Sequence, residues 1–147
     1  MTTVAFIERL RVDLDLQASD GDIARAWNDM YTPNPAVLEV IDQIDRRVAR
    51  LVLGSNTNEL HYQWFRPRFA PTLDRFDAEV LSYRVGCRKP DLRFFDAFVR
   101  ACAPVSVAEC LYIDDRADFI DAAGKMGIPG IVYRPGVERT MKSIISS

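Results

Sequence analysis

Apolar residues recur every three or four positions through the first third of the chain. Phe6, Ile7, Leu10 and Leu14 fall on one side of a helix predicted from Val4 to Leu16. The β-branched residues between Thr2 and Ile7 leave a strand as the competing reading of that stretch. Ser19 or Asp20 can cap a second helix carrying Ile23, Ala26, Trp27 and Met30. Pro33-Asn34-Pro35 ends it, because a following proline drives Asn34 away from helical backbone. Val37, Leu38, Ile41 and Ile44 then line a third helix that ends near Arg46.

From Val48 the pattern changes to short apolar runs alternating with amphipathic stretches. Leu51-Val52-Leu53 reads as a buried parallel strand running into turn-forming Gly54-Ser55-Asn56-Thr57. A helix is predicted from Glu59 to Phe65, a strand from Ala78 to Ser82, and a helix on Phe94, Phe95, Phe98, Val99 and Cys102. Cys110 to Ile113 forms a third strand, ending in Asp114-Asp115. A helix from Ala117 to Met126 is closed by Gly127, a fourth strand covers Gly130 to Tyr133, and a last helix starts near Val137. This alternation predicts an α/β, Rossmann-like parallel sheet flanked by helices, with ligands bound beyond the carboxyl ends of the strands. The organisation expected is a helical segment, residues 1–47, and an α/β core, residues 48–147, in one compact domain.

Composition narrows the function classes. A formal charge of -2 and a pI near 5.4 exclude a general nucleic-acid binder, which needs a basic face. No apolar run approaches the roughly 20 residues that span a membrane, and no signal-peptide pattern opens the chain. Cys87, Cys102 and Cys110 are an odd set without paired spacing, so reduced thiols and a cytoplasmic location are expected.

Three polar clusters follow predicted strands or lie in loops of one sheet edge: Ser55-Asn56-Thr57, Arg88-Lys89-Pro90 and Asp114-Asp115. They combine a hydroxyl, a fixed cation and two adjacent carboxylates. Mg²⁺ prefers carboxylate, phosphate and water oxygens, and an ammonium with a hydroxyl can hold the remaining phosphate oxygens. The set describes a magnesium–phosphate site.

Leu51-Val52-Leu53-Gly54-Ser55-Asn56-Thr57-Asn58 is similar to the second motif of the haloacid dehalogenase superfamily. Gly86-Cys87-Arg88-Lys89-Pro90-Asp91 resembles its third motif, and Leu111-Tyr112-Ile113-Asp114-Asp115-Arg116-Ala117-Asp118 its fourth. Order and spacing resemble the subgroup with a small helical cap, over about residues 36 to 135. The resemblance implies a hydrolase acting on a small phosphorylated metabolite. Ser55 would bind the transferred phosphoryl oxygen and Asn56 would support it through its backbone amide. Lys89 would neutralise charge on the phosphoryl group, and Asp114 and Asp115 would hold Mg²⁺. The family's mechanism passes through an aspartyl-phosphate that water hydrolyses. Residues 1–47 would be a cap remnant and linker helix.

The resemblance also implies a first motif, an apolar strand ending in Asp-x-Asp, whose first aspartate is the nucleophile. No segment before Ser55 matches it. Asp13-Leu14-Asp15 has the spacing but follows the charged stretch Glu8-Arg9-Leu10-Arg11. In the family that strand is central, between the Leu53 and Ile113 strands. Its absence would leave about five backbone groups on each side unpaired, at ~1–3 kcal/mol each when buried. Four outcomes are open. The flanking strands pair directly, residues 2–7 insert, a homodimer mate or second chain supplies the strand, or the chain is a truncated form, which is the outcome expected. The expectation is a chain inactive by itself, with a non-catalytic, partner-binding module as the alternative.

Simpler readings apply elsewhere. His61 is expected to be a half-exposed structural histidine on a helix. The Cys87-x5-Arg93 spacing of cysteine phosphatases lacks the intervening glycines and is taken as coincidence. Trp64, Phe65, Phe69, Phe76, Phe94, Phe95 and Phe98 are expected in the core, and Arg46, Arg47 and Arg50 on a solvated face.

Overall fold

The computed structural model describes residues 2–145, so the first and the last two positions of the expected segments lie outside the described residues. Three capped helices open the chain: α1 (Thr3–Asp13), α2 (Asp20–Asn28) and α3 (Pro35–Gln43). The side chains of Thr2, Ser19 and Asn34 accept from the amides of Ala5, Asp22 and Val37, which satisfies donors that have no partner within the helix. Helix therefore wins over strand for residues 2–7, and Ile7 is the residue that α1 buries.

The core alternates as the apolar pattern demands. Strand β1 (Val52–Ser55) leads to α4 (Glu59–Arg68) and α5 (Ala70–Leu73); β2 (Ala78–Leu81) leads to α6 (Ser82–Val85) and α7 (Leu92–Cys102). A 3-10 turn at Val107–Glu109 precedes β3 (Tyr112–Asp114), and α8 (Ala117–Lys125), β4 (Gly130–Val132) and α9 (Glu138–Ile145) complete the order. All observed strand pairing is parallel, but it forms two ladders. Val52 to Ser55 of β1 pair with Ala78 to Leu81 of β2, and Tyr112 to Asp114 of β3 pair with Gly130 to Val132 of β4. No ladder joins β1 to β3 among the described residues. Direct closure of the sheet by the Leu53 and Ile113 strands is thereby ruled out. So is insertion of residues 2–7, which are helical or cap the helix.

One helix underlies both ladders. Helix α7 packs on β1 and β2, while its Phe95 and Phe98 meet the Tyr112 ring of β3 edge-on, with centroids 5.5 and 5.4 Å away. Phe94, Phe95 and Phe98 with Val80, Tyr112, Phe119, Ala122, Ala123 and Ile128 form the core, as α7's strongly one-sided sequence requires. Gly54 permits this packing, because a Cβ there would lie 3.0 Å from the Phe98 ring. Trp64, Phe69 and Phe76 are only half-buried, against expectation, since they lie outside the core cluster that α7 organises.

The first three helices fold back onto the core. Helix α2 crosses α4 and buries His61, contrary to the half-exposed position expected. The imidazole Nδ1 lies 2.8 Å from Asn28 Oδ1, the ring stacks on Trp27, and the Tyr31 ring meets it edge-on. Helix α3 packs on α9, where Lys142 bonds Glu39. Of the three arginines expected on a solvated face, Arg47 and Arg50 are exposed, whereas Arg46 is drawn in by Asp77.

Candidate active site at the carboxyl rim

Parallel strands carry the loops after β1 and β3 to the same rim. Each predicted cluster is fixed by local bonds. Asn58 caps α4 by accepting from the His61 amide at 2.9 Å, which turns the chain sharply after Ser55. Ser82, the first residue of α6 just after the neighbouring β2, holds Thr57 from both sides: it accepts from the Thr57 amide at 3.0 Å and donates to its carbonyl at 2.8 Å. Asn56 uses its side chain. Its Nδ2 donates to the Lys89 carbonyl at 3.0 Å, and its Oδ1 accepts from the Lys89 amide at 2.8 Å. The Asn56 side chain thereby ties the second motif to the third, a tie the sequence did not suggest.

Lys89 is 6% exposed, unusual for a lysine unless its charge is paired. Its ammonium donates to Asp114 Oδ2 at 2.7 Å and to the Gly54 carbonyl at 3.0 Å. The Phe119, Tyr112 and Phe94 rings lie 4.9, 5.7 and 6.0 Å from Nζ and exclude water around the pair. Lys89 thus links β1 to β3 across the edges that share no backbone ladder.

Asp114 ends β3 with its side chain 10% exposed. Oδ2 accepts from Lys89 and from the Tyr112 hydroxyl at 2.9 Å; Oδ1 accepts from the Arg116 amide at 3.1 Å. Burial by itself raises this carboxyl's pKa. The Lys89 bond and charge, with the Arg116 and Tyr112 donors, outweigh burial and hold it below the ordinary value. Burial and the Asp114 charge push the Tyr112 phenol upward, so it stays a donor. Asp115 is exposed. Its carbonyl accepts from Arg134 at 2.7 Å, while its carboxylate has no bonded partner among the described residues. The Ser55 hydroxyl is likewise without an internal bond among the described residues.

The rim's donor set suits Mg²⁺. One uncommitted carboxylate, and a second with an oxygen engaged by a single amide, supply hard oxygen ligands, and Mg²⁺ ordinarily completes its shell with water and phosphate. No group of three or more His, Cys, Asp or Glu side chains able to hold a metal ion occurs among the described residues.

The structure thus brings Asn56, Lys89 and Asp114 into one bonded unit, with Ser55 and Asp115 as chain neighbours of Gly54 and Asp114. It leaves out Asp13, which pairs with Arg9 at the end of α1. Asp15 follows in the left-handed region at φ 49. Arg93 is bonded to Asp91 at 2.6 Å, which commits its guanidinium to that carboxylate. Tyr112 and Ser82 were not singled out in the sequence. A tyrosine two positions before an aspartate on a strand does share its face, which is the signal that could have marked Tyr112.

The haloacid dehalogenase-like hydrolase family profile matches residues 4–127. The chain belongs to that family. A haloacid dehalogenase family enzyme from Bacteroides thetaiotaomicron superposes with a TM-score of 0.80 at 26% identity, over 92% of this chain and 69% of that one. That crystal structure is of an aspartate-to-alanine mutant in complex with magnesium and inorganic phosphate. A predicted haloacid dehalogenase-like hydrolase from Porphyromonas gingivalis gives 0.81 at 21% identity, over 97% of this chain and 72% of that one, a likeness of fold. A sesquiterpene phosphatase from Aspergillus oryzae is 33% identical over 73 residues, 50% of this chain. The chain covers 32% of that phosphatase's length. No helix among the described residues of this haloacid dehalogenase-like chain is long and apolar enough to cross a membrane.

Proposed function

We propose that this rim is a phosphomonoester site of the Mg²⁺-dependent type, and that its chemistry requires a strand entering between β1 and β3. The observation that carries the reading is the buried Lys89–Asp114 pair, which with the Gly54 carbonyl joins the carboxyl ends of two strands that share no ladder. A phosphatase relative and a solved relative holding magnesium and phosphate support the same substrate class. Asp114 and Asp115 would hold the cation, which would neutralise phosphate charge and order its oxygens. The Ser55 hydroxyl donates to a phosphoryl oxygen, and Lys89 supplies positive charge already held in place. The reacting carboxylate belongs at the end of the entering strand, beside the Lys89 ammonium. On this reading residues 1–47 are a cap remnant and linker helix, and the substrate is a small phosphorylated metabolite met in the cytoplasm.

A partner-binding role has one specific observation in its favour, the open edges of β1 and β3, which can accept a strand from a second copy or another chain. The deciding assay is p-nitrophenyl phosphate hydrolysis with Mg²⁺, by the chain alone and with a peptide of apolar residues ending in Asp-x-Asp. Turnover is expected only with the peptide, and is expected to vanish in Lys89→Met and Asp115→Asn. Turnover that survives both substitutions would place the chemistry elsewhere. Tight peptide binding without turnover would favour the partner-binding role.

A further inference from the structure

Tyr112 starts β3 two residues before Asp114, so both side chains project from the same face of the strand. Its ring is 4% exposed, clamped edge-on by Phe95 and Phe98 at 83° each. Phenylalanine would fill this place as well. The hydroxyl is therefore surplus to packing, and in the core it would be costly without a partner. Its partner is Asp114 Oδ2, at 2.9 Å, the oxygen that also takes the Lys89 ammonium.

Two donors thus converge on Oδ2, while Oδ1 meets only the Arg116 amide. Lys89 alone would leave the carboxylate able to turn about its last bond, because one long side chain can follow it. A rigid phenol rooted in the core cannot follow. Three donors fix the carboxylate plane and leave one lone pair of Oδ1 uncommitted. We propose that the Tyr112 hydroxyl is a positioning group for divalent-cation binding: it locks Asp114 so that Oδ1 is presented to the cation beside Asp115. This rests on the assignment of Asp114 and Asp115 as the cation's residues. A donor to one oxygen also draws charge from the carboxylate, which opposes binding. The positioning effect dominates, as donors behind metal ligands commonly contribute 10–100-fold in affinity.

The test is Mg²⁺ titration of the full chain by calorimetry, for the wild type, Tyr112→Phe, Asp114→Asn and the double variant. Tyr112→Phe is expected to weaken Mg²⁺ binding about tenfold, and to have no further effect once Asp114 is asparagine. Equal affinity in wild type and Tyr112→Phe overturns the proposal and leaves the cation site standing. An equal loss in both backgrounds also overturns it, since general loosening of the core does not depend on the Asp114 carboxylate. A wild-type chain that binds no Mg²⁺ overturns the cation site, and the proposal with it.

Discussion

Breaking the Lys89–Asp114 pair tests the centre of this structure. The charges lie 2.7 Å apart, with side chains 6% and 10% exposed, so solvent screens them little. At an effective dielectric near 20 their attraction is about 6 kcal/mol. Much of that offsets the cost of taking two ions out of water, and the net effect shows only when one partner is removed. Asp114→Asn leaves an ammonium among three aromatic rings with the Gly54 carbonyl as its main acceptor, at an expected cost of ~3–5 kcal/mol. Lys89→Met keeps the stem and suits the aromatic surround. It leaves a carboxylate that still has the Tyr112 hydroxyl and the Arg116 amide, so about 3 kcal/mol is expected. The double variant places a thioether and a neutral amide there, and should lose about 2–3 kcal/mol less than the two single losses added. Urea unfolding at pH 7, followed by Trp27 and Trp64 fluorescence and by circular dichroism, measures all four corners. The sign of the pH dependence is fixed. Asp114 titrates below its unfolded value, so the pair's contribution is complete above that value, about 3.9. It fades as pH falls through the lower, folded value. Additive losses, with a coupling under about 0.5 kcal/mol, would refute the pair as a structural link.

Gly54→Ala forces a methyl to within 3.0 Å of Phe98 and should cost ~1–3 kcal/mol in chemical denaturation; an unchanged midpoint would mean that α7 yields freely. Asn56→Ala removes both bonds to the Lys89 backbone and should cost about 2 kcal/mol, with faster exchange of the Lys89 amide by NMR; a Lys89 amide as protected as before would contradict the tie. Burial lowers the His61 pKa, so the unfolded chain takes up the proton first. Stability should then fall as pH drops below about 6.5, and this slope should flatten in His61→Gln. Burial pushes the Cys102 thiol up to about 12, so with a thiol reagent at pH 8 Cys102 should react last of the three cysteines, by mass spectrometry.

The helices and strands were legible because their periods and stops agree. The proline pair around Asn34 and the apolar face of α7 each allowed one reading. The rim was legible in residue type, since hydroxyl, ammonium and paired acids after strands imply phosphate chemistry. Partner choice was not. Nothing in the sequence says that the Asn56 amide reaches 33 residues along the chain to Lys89, or that Ser82 holds Thr57. Such bonds depend on which loops the sheet brings together. His61 was misplaced for a similar reason, because its burial comes from α2, a helix whose docking face α4's own pattern does not reveal. The split into two ladders is a tertiary fact too. Each strand reads as interior, and no single strand shows which neighbour it lacks.

The reciprocal bonds between the Asn56 carboxamide and the Lys89 peptide imitate one rung of a β-ladder, with a side chain standing in for backbone. The turn bearing Ser55 and the turn bearing Lys89 therefore shift together, like two fingers of one hand. A displacement of either turn would therefore carry the other with it, while the Lys89 ammonium keeps both tethered to Asp114 across the rim.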